Sequence, residues 1–442
     1  MHSLSSRSVE GCSRLQHLLR TGAHVITFGE IAPPRHNHHR VPPTVIVGAG
    51  AAGLVAAIFA AARPPVVLIE RTLDGGRKIL ISGGGRCNIL PAALAPERFV
   101  TDSPSHLVRG MLRSWPLAKQ REFFEQEVGI PLKLEAATAK LFPVSNRARD
   151  VRDGLVELAR RRGVECRFNT SLTRLAPSAA GWRVETSAGA IDASAVVLAT
   201  GGLSVAATGS DGLGMRLAAE LGHVVHDTYP ALTPLTCDPP KHAGLSGVSL
   251  PARLRAKSPG GSAEASGGFL FTHRGYSGPA VLDVSHVAVR SRSAIIRVAW
   301  TERTADDWLR DLTAAAGLVL TTVARHLPHR LAEHILTEAG VPRDRRAAEL
   351  RRTERTKLVD ALTAFVLPWN GDEGFTKAEV TGGGVALDEI DPRTLESRRH
   401  PGLFLCGEML DAFGPIGGHN FAWAWATGRA AGLGAARSPE RT

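Results

Sequence analysis

The sequence has little cysteine and does not group what it has. Cys12, Cys87, Cys166, Cys237 and Cys406 form no CxxC and no close pair in 442 residues. That spacing excludes a disulfide framework, a cysteine zinc site and a reductase built on neighbouring thiols. Reduced thiols in a cytoplasm are the simplest reading, and no metal site is expected. No uninterrupted apolar run reaches the roughly 18 residues that suggest a membrane span. No apolar core followed by a small-residue cleavage site marks a secretory signal. Lysine is scarce as well, so the net charge of +11 is mostly arginine in a chain rich in Ala and Gly. Such an excess reflects coding bias as easily as an acidic membrane or a nucleic-acid partner.

What is present is organised around Thr44 to Glu70. A β-branched run, Val45 to Val47, enters Gly48-Ala49-Gly50-Ala51-Ala52-Gly53; an Ala-rich apolar stretch follows, and Val66 to Ile69 ends on Glu70. Strand, tight turn, helix, strand and acid in this register predict a dinucleotide-binding βαβ unit. Gly48 permits the turn, Gly50 lets a pyrophosphate approach bare backbone, and Gly53 lets helix and strand pack closely. Ala51 and Ala52 open a helix whose positive end faces the phosphates. Glu70, about twenty positions beyond Gly50, stands where a carboxylate holds the ribose of an adenosine half.

Two Gly-rich, cationic loops follow at once, Arg71 to Lys78 and Ile79 to Asn88. They imply backbone wrapped around an anionic, planar cofactor, which simple nicotinamide dehydrogenases do not need. Residues Glu97 to Ile130 read as helical, Ala139 to Val144 as extended, Val151 to Arg162 as helical, and Val164 to Phe168 and Trp182 to Thr186 as strands. A buried strand from Ala195 then runs into Thr200-Gly201-Gly202. From Thr233 to Trp300 short β-like runs alternate with Gly, Ser and Pro, and Thr304 to Leu367 is helical and Arg rich. The chain then returns through Glu379-Val380-Thr381-Gly382-Gly383-Gly384, Cys406-Gly407-Glu408 and Gly417-Gly418-His419-Asn420, the last opening an Ala-rich helix to Leu433. The organisation expected is a poorly ordered extension over 1–40, a cofactor domain in two parts over 41–232 and 375–436, and an inserted β plus helical substrate domain over 233–374.

GGRKILISGGGRCN, KLFPVSNRARDV, VLATGGLSVAATGSDGLG and GGHNFAWAWATG, taken with the first fingerprint, carry a resemblance. The chain resembles the BaiN-like (YhiN-like) bacterial flavoproteins, FAD- and NAD(P)H-linked oxidoreductases of the glutathione-reductase-like superfamily. The resemblance implies an α/β fold, a Rossmann-like FAD-binding domain interrupted by a β-barrel-like plus helical insert. It places Gly48, Gly50, Ala51, Ala52 and Gly53 around the FAD pyrophosphate, Glu70 and Arg71 at the adenosine, and Arg77 and Lys78 on the phosphate side. Ser82, Gly84, Arg86, Cys87 and Asn88 would pass the ribityl and isoalloxazine, Thr200, Gly201 and Gly202 close the adenine side, and Gly407 and Glu408 support the ribityl chain. Gly417, Gly418 and Asn420 would lie under the pyrimidine edge, where a helix N-terminus lowers the cost of negative charge on reduced flavin. Where family members carry Tyr-Pro after the ATGG turn, Val205 and Ala206 stand here, and His419 replaces a frequent Tyr.

There is one complete dinucleotide fingerprint, so NADH or NADPH is expected to dock transiently. Hydride would pass through flavin N5 to or from a small organic substrate with an enone-like C=C or an imine. Addition to a double bond also needs a proton donor; His419 is the first candidate, followed by Tyr276, His273 and Cys87. A monomer or homodimer is expected, with no membrane and no nucleic acid as partner. Two alternatives remain: a flavoprotein acting on RNA through its Arg-rich inserted helices, and a regulatory or electron-transfer flavoprotein.

Overall fold

The computed structural model describes residues 41–179 and 181–438; the expected extension over 1–40 lies outside them. Its centre is a five-stranded parallel sheet. Strand β1 (Thr44–Val47) pairs with β2 (Val66–Ile69) on one side and with Ala195–Leu198 on the other, and Glu165–Arg167 and Leu403–Leu405 form the edges. All four residues of β1, β2 and Ala195–Leu198 are buried. Helices cover both faces of such a sheet, so its strands read as continuous apolar runs and not as alternations.

Helix α1 (Ala51–Ala60) follows β1 directly, and a second long helix, His419–Arg437, lies against it. Their contact is made of small residues. A Cβ on Gly428 would sit 2.3 Å from the Ala52 carbonyl oxygen, and one on Gly432 2.3 Å from that of Ala56. Only bare backbone allows this approach.

Residues 97–130, read as one helical stretch, form Ser105–Arg113 and Leu117–Glu122, the latter continuing as a π-turn over Phe123–Val128. Pro104 and Pro116 stand at the two helix starts, where a missing N–H is harmless and continuation of a preceding helix is not possible. The extended and helical readings that follow correspond to Lys140–Pro143, Ala148–Arg161, Glu165–Arg167 and Gly181–Thr186.

Leu235 to Leu367 build a second hydrophobic cluster. A seven-stranded antiparallel sheet is its frame, running from Phe365–Val366 through Ile295–Ala299, the long hairpin Ser249–Ser258 and Gly261–Phe271, Gly275–Ser277 and Leu235–Thr236 to Gly371–Asp372. The two edge strands do not pair with each other. Helix Pro279–Arg290 packs on the sheet, and Ala305–Ala314, Val319–Ala324, His329–Glu338 and Arg352–Thr363 complete the cluster. A two-stranded ribbon, Val225–Ala231 with Val380–Val385, joins this part to the parallel-sheet part. Among the described residues no helix is long and apolar enough to cross a membrane.

Candidate active site

The cavity of about 780 Å³ that opens beside the carboxyl ends of β1 and β2 is lined by residues from 47 to 424. Its size is within the usual range of small-molecule and cofactor sites. Gly50 stands at the start of α1 and Gly418 at the start of the His419–Arg437 helix; both line the cavity, and neither helix has a side-chain cap. The first N–H groups of a helix have no intrahelical partner and carry the positive end of its dipole. Two such ends therefore serve one cavity. A Cβ on Gly50 would meet nothing within 4 Å, so this backbone is bare toward open space. A long anionic ligand with phosphates at one helix and a ring that gains negative charge at the other fits these donors.

Gly53 does not line the cavity: a Cβ there would fall 1.7 Å from the Gly48 carbonyl oxygen, so its role is the closeness of turn and helix. Glu70 is buried and held in place, one oxygen accepting the Ala49 N–H at 2.8 Å and the other the Thr72 N–H and hydroxyl at 2.9 and 2.8 Å. Arg71, also on the wall, pairs with Asp211. Helix α2 (Arg77–Ile81) starts at the cavity. Arg77 is tied to Asp74 at 3.0 Å, and Asp74 also accepts from Arg152 at 2.8 Å; these guanidinium bonds hold its carboxyl below the usual range against the opposing effect of burial.

Lys78 and Glu408, both expected near the cofactor, prove to be partners. The Lys78 Nζ reaches Glu408 and donates to Ser204 Oγ at 2.6 Å; Glu408 also accepts from Ser204 at 2.6 Å and from the Thr381 N–H and hydroxyl at 3.1 Å. Four separated segments are thereby fastened at one wall. Ser82, Gly84, Asn88, Thr200, Gly201 and Gly407 line the cavity as well, whereas Gly202 is packed behind it, its missing Cβ 2.3 Å from Thr381 Oγ1. Asn420 closes the loop under the second helix, exchanging hydrogen bonds with the Gly414 N–H and carbonyl at 2.8 and 2.9 Å, and Gly417 lies over the Lys140 stem.

None of the four proton-donor candidates lines the cavity. Cys87 is fully buried, and desolvation pushes its thiol up to about 12; it is inert packing between the Gly-rich loop and the core. Arg86 turns away from the cavity to Glu135, 2.9 Å away, and over the Phe142 ring. Tyr276 belongs to the second core: its hydroxyl meets His242 Nδ1 at 2.8 Å and burial raises its pKa. His273 is exposed at a turn outside the cavity. His419 adjoins the cavity wall but does not face into it; buried edge-on against Phe99, it is pushed down to about 4 by desolvation, with both ring nitrogens unpartnered among the described residues. A neutral imidazole is a much weaker acid than an imidazolium, and this one stands off the cavity wall.

Two acids that the sequence reading passed over lie at this end. Glu379 lies on the cavity wall with its side chain open to the cavity, and desolvation by the protein around it raises its pKa. Asp283 on the Pro279–Arg290 helix accepts the Ile416 N–H at 2.8 Å and lies 3.5 Å from Arg98; burial lifts its carboxyl to about 6. The available signal was an acid directly before the Val380–Val385 strand. The Arg-rich run of the inserted helices is absent from the cavity wall, and Arg343 and Arg345 pair with Glu333 and Glu354, each at 3.2 Å.

Residues 42–434 match the family model described as HI0933-like protein Rossmann domain. The chain is similar to the ribosomal RNA dihydrouridine synthase of Escherichia coli (strain K12), 32% identical over 367 residues that cover 81% of this chain and 89% of that protein. It is equally similar, 32% over 393 residues, to the 3-dehydro-bile acid delta(4,6)-reductase of Clostridium scindens, with 84% and 93% covered. The ribosomal RNA dihydrouridine synthase of Haemophilus influenzae is 30% identical over 375 residues, covering 82% and 90%.

Proposed function

The chain belongs to the HI0933-like Rossmann family and is an FAD-dependent oxidoreductase, and on that footing we propose that it saturates a carbonyl-conjugated C=C bond using hydride from NADH or NADPH. The observation that carries the reading is the pair of uncapped helix N-termini on one cavity, with Gly50 bare at the first of them and Glu70 fixed on the wall. FAD bound there supplies the hydride carrier between nicotinamide and substrate. The α1 N-terminus binds its pyrophosphate, Glu70 its adenosine ribose, and the Gly418 helix end stabilises negative charge on its ring. The Lys78–Glu408–Ser204–Thr381 network keeps the central wall rigid.

Hydride addition at the β-carbon leaves the α-carbon to be protonated, and Glu379 is the group we assign to that step. Its support is position: it is an acid on the cavity wall whose pKa is raised by desolvation. The insert over 233–374 supplies none of the lining residues; it meets the cavity loop through Asp283, which holds the Ile416 N–H, and is taken as the outer surface against which substrate docks.

Anaerobic mixing of the purified yellow protein with NADH or NADPH in a stopped-flow instrument is expected to bleach the flavin with saturable kinetics. An enone should then reoxidise it. In Glu379→Gln bleaching should be unchanged and reoxidation slowed about 10²- to 10⁴-fold. If neither nucleotide bleaches the flavin, the nicotinamide link is wrong; if the variant is reoxidised normally, Glu379 is not the donor.

A second reading takes uridine in RNA as the substrate. Two relatives carry names of that activity, and a dihydrouridine is a uridine whose carbonyl-conjugated ring C=C has been saturated, the same chemistry. Lys140 and Lys377 on the cavity wall suit a polyanion. This reading predicts RNA binding that weakens steeply with salt and a gain of two hydrogens in the RNA.

A further inference from the structure

Away from the cleft, a histidine is held inside the second core in an arrangement that packing alone does not explain. His242 stands at the start of the Ala243–Leu245 turn and is 4% exposed. Its Nδ1 meets the Tyr276 hydroxyl at 2.8 Å, while its Nε2 is buried without a partner among the described residues. His334 lies on the His329–Glu338 helix with its ring perpendicular to that of His242, centroids 4.5 Å apart, and its Nε2 is likewise buried and unpartnered. One turn further along the same helix, Glu338 brings a carboxylate oxygen within 3.6 Å of that nitrogen, too far for a hydrogen bond. The three potential ligand atoms all lie within 4.8 Å of one another.

We propose that His242, His334 and Glu338 bind a divalent first-row transition-metal ion such as zinc. The chemistry of the donor set fits: two imidazole nitrogens and a carboxylate oxygen are borderline ligands, and three protein ligands leave a fourth, tetrahedral position for water. The fourth position faces solvent, because the Glu338 side chain is 48% exposed. A metal satisfies both orphaned nitrogens with one ion, where no hydrogen bond does so. Tyr276 is the orienting group behind the site. With its hydroxyl oxygen accepting from His242 Nδ1–H, the Nε2 lone pair points at the ion, the arrangement that metal-ligating histidines ordinarily share. Burial keeps that tyrosine neutral and His242 unprotonated, its pKa pushed down to about 4.

The site joins two pieces that touch nowhere near each other in sequence, the turn after Leu235–Thr236 and the His329–Glu338 helix. Its ligands therefore have none of the short spacing by which metal motifs are read, and the scattered cysteines take no part. The ion is a clamp of the helical layer onto the antiparallel sheet, independent of the flavin chemistry.

The test is made on the full-length, flavin-loaded protein, stripped with a chelator, supplied with zinc chloride and passed through a desalting column before elemental analysis. Wild type is expected to retain one equivalent more than His334→Ala or Glu338→Gln; histidines near the amino terminus contribute equally to all three. Zinc should raise the melting temperature of wild type and leave that of both variants unmoved. Cobalt(II) should give visible d–d absorption to the red of the flavin bands in wild type alone, and Tyr276→Phe should weaken binding about 10- to 100-fold. Flavin content and circular dichroism confirm the fold of each variant, and Glu338→Gln, a substitution at a half-exposed side chain, serves if His334→Ala unfolds. Equal zinc in wild type and a folded variant, or no retained zinc in wild type, overturns the proposal.

Discussion

At the scale of single residues, the cavity end beside the Gly418 helix gathers Asp283, Glu379, Lys140, Arg98 and His419, and desolvation shifts the two acids upward and the histidine downward. Asp283 shows the consequence most directly. Its folded pKa, about 6, lies above its unfolded value, so the folded state binds more protons than the unfolded state between about pH 4 and 6. Stability from this group is complete below that window and is lost as pH rises through it, by at most about 3 kcal/mol. In Asp283→Asn, which keeps an oxygen for the Ile416 N–H, the urea midpoint should gain on wild type steadily from pH 4 to 6.5; parallel profiles would refute the raised pKa. None of this was legible in the sequence. His419 is a candidate because it abuts the expected flavin edge, a local feature, while its burial against Phe99 comes from the surrounding core. Glu379 was in plain view within a quoted strand but looked like any other acid.

At the scale of elements, the two helices that serve the cavity are aligned by their own contact. Gly428 and Gly432 lie one turn apart on one helix, Ala52 and Ala56 one turn apart on the other, and the backbones meet at the missing side chains. Gly432→Val inserts a branched side chain where 2.3 Å is available. It should destabilise the protein by about 1–3 kcal/mol or more and reduce the flavin retained through purification, since the two N-termini can no longer keep their relative placement along the cavity. Gly110→Ala is the control: on the Ser105–Arg113 helix a Cβ there meets nothing within 4 Å, and stability should rise by about 0.5–1 kcal/mol. A lowered urea midpoint with unchanged flavin content in Gly432→Val would separate stability from cofactor alignment. The βαβ unit was readable because strand, turn, helix and acid are consecutive and each has a local signature. The glycine contact was not, because its two halves are distant in the chain and small residues in an Ala-rich helix carry no pattern of their own.

At the scale of the whole molecule, the parallel-sheet part and the antiparallel part each have a hydrophobic cluster of their own, and the cavity wall draws on residues from Val47 to Ala424. A ligand that binds only this assembled wall stabilises it by mass action, about 2.7 kcal/mol at a hundred times its dissociation constant. Adding FAD to the apoprotein should therefore raise the melting temperature in a concentration-dependent way. FMN, which lacks the adenosine proposed above to meet Glu70, should give a much smaller shift; equal shifts would remove Glu70 and its neighbours from the site. The change from β-like runs to an Arg-rich helical stretch in the second cluster is legible in the sequence. That cluster's sheet order is not, since nonlocal pairing of seven short strands leaves no local trace.

The Lys78–Glu408 pair spans 330 positions. A ribosome making this chain exposes Gly50, Glu70 and Lys78 long before the partner carboxylate and the Gly418 helix exist, so the early strands wait as a half-built cradle with their cations uncompensated. Cofactor capture is thus a late event in biosynthesis, and a nascent chain arrested before Leu403 should carry no flavin however much of its parallel sheet has already paired.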